Sequence, residues 1–242
     1  MKKKRVYLIA ASVCVVILSV AAGWGVYQNS GSHILFYVNE EPVYREEVEF
    51  VIKKERLTVR NHIMTDYDVD ADDFSWDREY GGKKALDYMQ EEAMKECTKN
   101  KIIEIAAKEM GVIEKIDYPS IQKLNEEDSK TRGERIVNRQ VVYGNTSYRP
   151  EDYYDYVLSN LEEQTYYRMA EEGMLEMTEA EIDKVYEEQR EALIEAGNDD
   201  KSVARNIGMQ QKYSDYIQKR ADSAEIGKVS KGGMRKVLED MK

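Results

Sequence analysis

With 242 residues, a formal net charge of −11 and two cysteines, the chain can fold as one ordinary domain or two small ones, without a disulfide framework. So acidic a body repels nucleic acid and anionic lipid, which excludes a polyanionic partner. Fourteen glycines and three prolines among many Glu, Lys, Ala and Met favour helix over sheet, and eighteen tyrosines against three phenylalanines point to surfaces where a ring packs while its hydroxyl stays wet.

Met1–Arg5 is a basic cluster, and Val6 to Tyr27 carries no charge. That apolar run is long enough to cross a hydrocarbon core of roughly 30 Å. Trp24 and Tyr27 stand at its far end, where interfacial aromatics belong. The positive charges stay in the cytoplasm, so the sequence after Gln28 is expected outside it. Ser19-Val20-Ala21 has the small residues of a cleavage site, but the apolar run continues past it, which favours a retained anchor over a cleaved signal peptide. Val13 before Cys14 is too large for a usual lipoprotein signal. Residues 1–28 are thus read as a transmembrane anchor and 29–33 as a flexible spacer. Cys14 in the membrane cannot pair with Cys97 outside it, and Cys97 reads as a small buried apolar residue.

The body opens with Ile34–Val38, short, apolar and β-prone. Asn39-Glu40-Glu41-Pro42 reads as a turn, and Val43-Tyr44 as a returning strand. From Arg45 to about Thr65 the period is helical. Val48, Val51, Ile52, Val59 and Ile63 make one stripe, while Phe50, Leu57 and Met64 recur every seven residues on the opposite face. Such a helix is sandwiched between neighbours or shows one face to a partner. Between Asp66 and Asp73, three aspartates occupy the first, third and fifth positions of a calcium loop. The match then fails, because Ala71 stands where the sharp turn needs Gly and Asp77 where a longer bidentate Glu belongs. This stretch, running to Gly81-Gly82, is read as a solvated acidic loop.

A second helix is expected from about Lys83 to Met110, stopped by Gly111. Asp117-Tyr118-Pro119 opens a third, strongly charged and weakened by Gly133, that reads as an exposed arm to about Gln140. After a short extended break at Val141-Val142-Tyr143-Gly144, a fourth begins at Pro150. It carries Tyr154, Val157, Leu158, Leu161 and Met169 on one side, widened by Tyr153, Tyr156, Tyr166 and Tyr167. Thr178-Glu179-Ala180-Glu181 is a capping box for a fifth. Asn198-Asp199-Asp200 separates that helix from a sixth starting near Lys201, with Val203, Ile207, Tyr213, Ile217 and Ala221 inward. Ala224-Glu225-Ile226 is a candidate last strand, and residues 227–242, rich in Lys and Gly, are read as a flexible tail.

Several stretches, in this order, resemble the SurA N-terminal-like chaperone family, in the form attached to membrane-bound and lipoprotein peptidyl-prolyl isomerases of Gram-positive bacteria (the PrsA-like group). They are Tyr37-Val38-Asn39-Glu40-Glu41-Pro42-Val43; Glu79-Tyr80-Gly81-Gly82 before Leu86 and Tyr88; Val141-Val142-Tyr143-Gly144; Tyr153-Tyr154-Asp155-Tyr156 with Leu158-Ser159-Asn160-Leu161-Glu162; and Thr178-Glu179-Ala180-Glu181 with Tyr186-Glu187-Glu188. The resemblance implies a mainly α fold in which residues 34–226 form a helical lobe closed by a strand from the chain's end, with Ile226 the candidate. It implies too that unfolded or newly secreted polypeptides are held in an apolar cradle between helices. Members often carry a parvulin isomerase domain inserted after the helix equivalent to Thr178–Ala196. Here Asp199-Asp200 leads straight into the next helix, with no room for the roughly hundred residues of such a domain.

No catalytic constellation stands out, and no cofactor or metal is implied. His33 would lie beside the membrane, and His62 reads as packed or surface rather than catalytic. The expectation is therefore a membrane-anchored holdase without an isomerase site of its own. The alternatives are an isomerase-family protein or a scaffold for a single envelope partner, and a homodimer exchanging helices is left open. The candidate client contacts are Phe50, Leu57, Met64, Tyr153, Tyr156, Tyr167 and Met169, since Met and Tyr suit promiscuous contact.

Overall fold

The computed structural model describes residues 33–197 and 200–241. The anchor expected at 1–28, its basic cluster, Cys14 and the spacer up to Ser32 lie outside the described residues. Among the described residues no helix is long and apolar enough to cross a membrane. The body is mainly helical, with a short β-hairpin at its start.

β1 (Ile34–Val38) and β2 (Glu41–Tyr44) form that hairpin. Its turn is tighter than the sequence reading. Asn39 and Glu40 alone make it, both at positive φ (47° and 70°), the mirror-image turn whose twist suits two adjoining strands. Pro42 is consequently a strand residue opposite Tyr37. The sheet order is β2-β1-β5, so Pro42 lies on an edge strand, where a missing donor is tolerated. β5 (Ile226–Gly227) is the strand expected near Ile226, and it pairs antiparallel with β1 through Val38↔Ile226 and Tyr37↔Gly227. Asn39 reinforces the junction. Its Oδ1 accepts from the Glu225 amide at 2.8 Å, and its own amide donates to the Glu225 carbonyl at 3.0 Å.

The helices are α1 (Arg45–Asp66), α2 (Ala85–Glu109), α3 (Tyr118–Val137), α4 (Pro150–Glu171), α5 (Glu179–Glu195), α6 (Lys201–Asp222) and α7 (Lys231–Asp240). Local chemistry sets their starts. Asp117 accepts from the Ser120 amide at 3.0 Å to cap α3, and Asp200 accepts from the Ser202 amide at 2.7 Å to cap α6. The Thr178/Glu181 capping box heads α5 as read. Helix α2 begins two residues later than expected, because Lys83-Lys84 form β4, paired with β3 (Glu79–Tyr80) around Gly81 and Gly82 at positive φ. The aspartates of the preceding loop are exposed as read, but the aromatic residues after them are half-buried. Phe74 stacks on Tyr80 (5.7 Å) and meets Trp76 edge-on (5.0 Å), pinning the acidic stretch to the body.

Helix α2 is the axis of the core. Residues 101–107 are buried at every position, enclosed by α1, α4, α6 and the sheet. Phe36, Val43, Val48, Ile52, Ile63, Met89, Ile102 and Ala106 fill the space around it. Two smaller clusters flank this core. Ile121, Tyr153 and Tyr154 join α3 to the start of α4, with Phe50, Tyr118 and Tyr148 against them. Ile182, Val185, Leu193 and Ala204 join α5 to the first half of α6. Gly208 permits the latter pairing, since a side chain there would run into Met177.

The end of the chain corrects the sequence reading of a flexible tail at 227–242. Ser230 caps α7, and its amide donates to the Leu35 carbonyl at 2.7 Å. Met234, Val237 and Leu238, at i, i+3 and i+4, are buried against the sheet, α1 and α2, and Arg45 pairs with Asp240 at 2.8 Å. Met234→Ala should therefore lower the stability of the full chain by ~2–5 kcal/mol, the cost of emptying a core site. Urea unfolding followed by circular dichroism would read this, and a change below about 0.5 kcal/mol, the ordinary surface effect, would show that α7 is not part of the core.

Candidate functional site

The most unusual chemistry in the molecule is sealed inside it. Glu47 of α1, Lys101 and Glu104 of α2 and Tyr154 of α4 are all buried. Lys101 Nζ lies 2.8 Å from Glu47 Oε1 and 2.6 Å from Glu104 Oε2. The Tyr154 hydroxyl sits 2.9 Å from Glu104 Oε1 and 3.1 Å from Glu47 Oε1. Glu47 Oε2 accepts from the Tyr44 amide at 2.7 Å, so one carboxylate both caps α1 and grips α2. Two carboxylates face one ammonium. Burial pushes the Glu104 carboxyl up from its ordinary 4.5 to about 7; Lys101 opposes this and the neighbouring Glu47 adds to it. Burial works to lower the Lys101 ammonium, but Glu104 and Glu47 outweigh it and hold the group above its ordinary value, in its charged form. Burial also raises the Cys97 thiol, consistent with a small, inert core residue.

All four side chains of the cluster are buried among the described residues. Tyr154 also lines a hollow of about 60 Å³, together with Phe50, Lys54, Glu96 and Asn100. Among the described residues, no group of three or more His, Cys, Asp and Glu is placed to hold a metal ion. His33 and His62 are surface residues beside Glu46 (3.0 Å) and Asp66 (3.1 Å).

The seven candidate contact residues do not form one surface. Leu57 is 66% exposed, and Tyr156 and Tyr167 are exposed as well. Phe50 is half-buried, its ring 5.9 Å from Tyr118 and 6.0 Å from Tyr154, and Met64 is half-buried too. The seven-residue stripe on α1 thus narrows to Leu57. Tyr153 and Met169 are core residues, Tyr153 in the α3–α4 cluster and Met169 in the main core. Both lie on the face of α4 turned toward the body, which its broad apolar arc did not reveal.

Among the described residues, two open surfaces combine exposed aromatic and apolar or acidic groups. One is the far end of α3 and the loop after it, where Val137 is 82% and Tyr143 85% exposed, with Ile136 and Val141 beside them in sequence. Arg132 holds this loop in shape, donating to the carbonyls of Tyr143 (2.8 Å) and Asn145 (3.0 Å) while covering the Tyr148 ring. The other is a cleft of about 370 Å³ between α4 and α6, lined by Ser159, Glu162, Glu163, Tyr166, Tyr167, Gln210, Tyr213 and Ser214. Tyr166 meets Tyr167 (5.4 Å) and Tyr213 (5.8 Å) edge-on. Burial raises the Tyr213 hydroxyl, and the Glu162 carboxylate adds to the effect. The sequence pattern points to Tyr167 and places Tyr213 inward, where it lies in the main core, but does not show Tyr213 at the cleft; it marks 141–144 as a break and as one stretch of the resemblance. A tyrosine at the inner edge of a cleft has the same period as a core residue.

No family model, curated protein or solved structure matches the chain.

The buried cluster has a measurable signature. A carboxyl raised from 4.5 to about 7 on folding takes up a proton, so its contribution to stability is complete at low pH and is lost as pH rises through about 7. Carboxylates held low by partners, such as Glu109 beside Arg220, act oppositely, but their effect is complete once pH exceeds the ordinary carboxylate range. The urea midpoint of the full chain should accordingly fall between pH 5.5 and 7.5, and Glu104→Gln should flatten that fall. An unchanged slope in the variant would remove Glu104 as its source.

Proposed function

We propose that the chain is a membrane-tethered holdase, working on the extracytoplasmic side and binding unfolded or newly secreted polypeptides without an isomerase site of its own. Its carrying observation is the set of aromatic and apolar side chains left uncovered at the tip of α3 and along the outer face of α4 on an otherwise acidic, ion-paired body. Val137 and Tyr143, each more than four-fifths exposed, are the kind of groups that interaction surfaces leave uncovered. Tyrosine suits the task because its ring buries apolar area while its hydroxyl keeps water contact in the empty state. The excess negative charge would keep a loaded complex soluble.

The lobe read from the family resemblance, residues 34–226, is consistent with this role. Its first strand is fastened by the last, so the open surfaces are carried on a body closed end to end. The connection from α5 to α6, residues 196–200, is too short to carry an isomerase domain. The charge-free run from Val6 to Tyr27 would hold the body at the membrane, where secreted chains emerge unfolded.

The full-length chain in neutral-lipid nanodiscs should suppress aggregation of a chemically unfolded model protein at near-stoichiometric ratios, with no acceleration of proline-peptide isomerisation in the same sample. Val137→Asp with Tyr143→Asp should weaken suppression several-fold while stability changes by less than about 0.5 kcal/mol, as at other exposed positions. Absence of suppression at tenfold excess would overturn the general holdase and favour a scaffold for one native partner. Isomerisation above background would overturn the non-catalytic reading.

A further inference from the structure

The α4–α6 cleft differs from the α3 tip in kind. Its groups combine aromatic faces with oxygen acceptors, and none of its charges is positive. Glu162 and Glu163 stand on α4 with no ion-pair partner among the described residues, whereas Glu171 and Glu181 nearby are paired with Arg168 and Lys212. Ser159, Gln210 and Ser214 add further oxygens. Tyr213 closes the inner side. It is 5% exposed, and among the described residues its hydroxyl finds no hydrogen-bond partner. A buried phenol without a partner is costly, and it would be relieved by a donor entering the cleft.

Resting on the holdase reading and deepening it, we propose that this cleft is the subsite for cationic segments of a client polypeptide, with a lysine or arginine stem laid on the tyrosine rings and its head directed at Glu162 and Glu163. The chemistry is complementary on each count. Ring faces attract cations, carboxylates accept from ammonium and guanidinium groups, and Tyr213 offers a further acceptor. The dimensions suit a peptide. From Ser159 to Tyr167 the α4 wall is about 12 Å long at ~1.5 Å per residue, room for roughly three to four residues of extended chain. The clients' apolar side chains and their basic ones would then be received at different places, the first at the α3 tip and the second here.

The test measures fluorescence anisotropy of a labelled unstructured peptide in which lysine and arginine alternate with leucine and tyrosine, titrated with the full-length chain in neutral-lipid nanodiscs. Empty discs serve as the blank. The same peptide with glutamine in place of every cationic residue should bind about tenfold more weakly, as expected for loss of a charged hydrogen bond. Glu162→Gln with Glu163→Gln should erase that difference, and Tyr213→Phe, which keeps the ring, should reduce it. Equal binding of the two peptides, or wild-type discrimination by the double variant, would overturn the assignment. So would displacement of the peptide by spermidine at matched charge, which would make the cleft a polyamine site. A change in the sedimentation of the double variant without any effect on peptide binding would assign the cleft to a second copy of the chain, and overturn it equally. The aggregation assay separates this from the broader reading. Suppression retained by a double variant that no longer discriminates is the expected result, whereas suppression retained with discrimination unchanged defeats the cleft alone.

Discussion

Everything in this fold leans on one buried ammonium. Lys101 sits at the middle of the central helix, 1% exposed, and is held by carboxylates from two elements. Charges this deep contribute little net stability, because the Coulomb energy gained is largely cancelled by the water lost. What they impose is geometry. Glu47 can reach Lys101 only if α1 starts at Arg45, and the same carboxylate fixes that start by accepting from the Tyr44 amide. Tyr154 can reach Glu104 and Glu47 only if α4 lies across both helices. One cluster therefore sets the start of α1, the rotation of α2 and the placement of α4. The surplus carboxylate is accommodated by a raised affinity for a proton, so the cluster approaches neutrality without losing its bonds.

Much of this frame was legible beforehand, and the parts that were not share a physical reason. Period, breaks and capping located α1, α3, α4, α5 and α6, because stripes such as Val48, Val51, Ile52, Val59 and Ile63, the Pro119 and Pro150 openings and the Thr178 capping box are local signals. The charged cluster was invisible, since Glu47, Lys101 and Glu104 have the residue types of a solvated helix face and only tertiary contact makes them interior. Helix α7 was missed for the complementary reason. Gly232 and Gly233 give it poor propensity, and its stability comes from burying Met234, Val237 and Leu238 against elements distant in sequence. The β3–β4 ribbon is too short to show alternation at all.

The candidate surface follows the same division. Sequence could say that α4 is rich in tyrosine but not which tyrosines face out, because its apolar residues spread over too wide an arc. Packing decides it. Tyr153 and Tyr154 turn toward α3 and the core, while Tyr156 and Tyr167 face solvent. The Phe50, Leu57 and Met64 stripe shows the converse. Its regular spacing implied one continuous face, yet Phe50 is taken up by Tyr118 and Tyr154, and only Leu57 is left bare.

Helix α6 relates the rigid body to its open side. Its second half, Tyr213 and Ile217, belongs to the main core, and its first half, Ala204 with Val203 and Ile207, belongs to the small core shared with α5. The cleft lies along this helix, next to the point where one core hands over to the other, and Tyr213 belongs to both the cleft and the main core. The cleft and the Lys101 cluster are carried by different side chains: α6 gives Gln210, Tyr213 and Ser214 to the cleft and none of the four side chains of the cluster. The fold thus keeps its charged, geometry-setting contacts in the interior around α2 and leaves Tyr166 and Tyr167 at a surface cleft whose inner side is the buried Tyr213. On the proposed reading, a surface that accepts varied chains would stay compatible with a single folded state because that state is specified elsewhere, at the buried cluster.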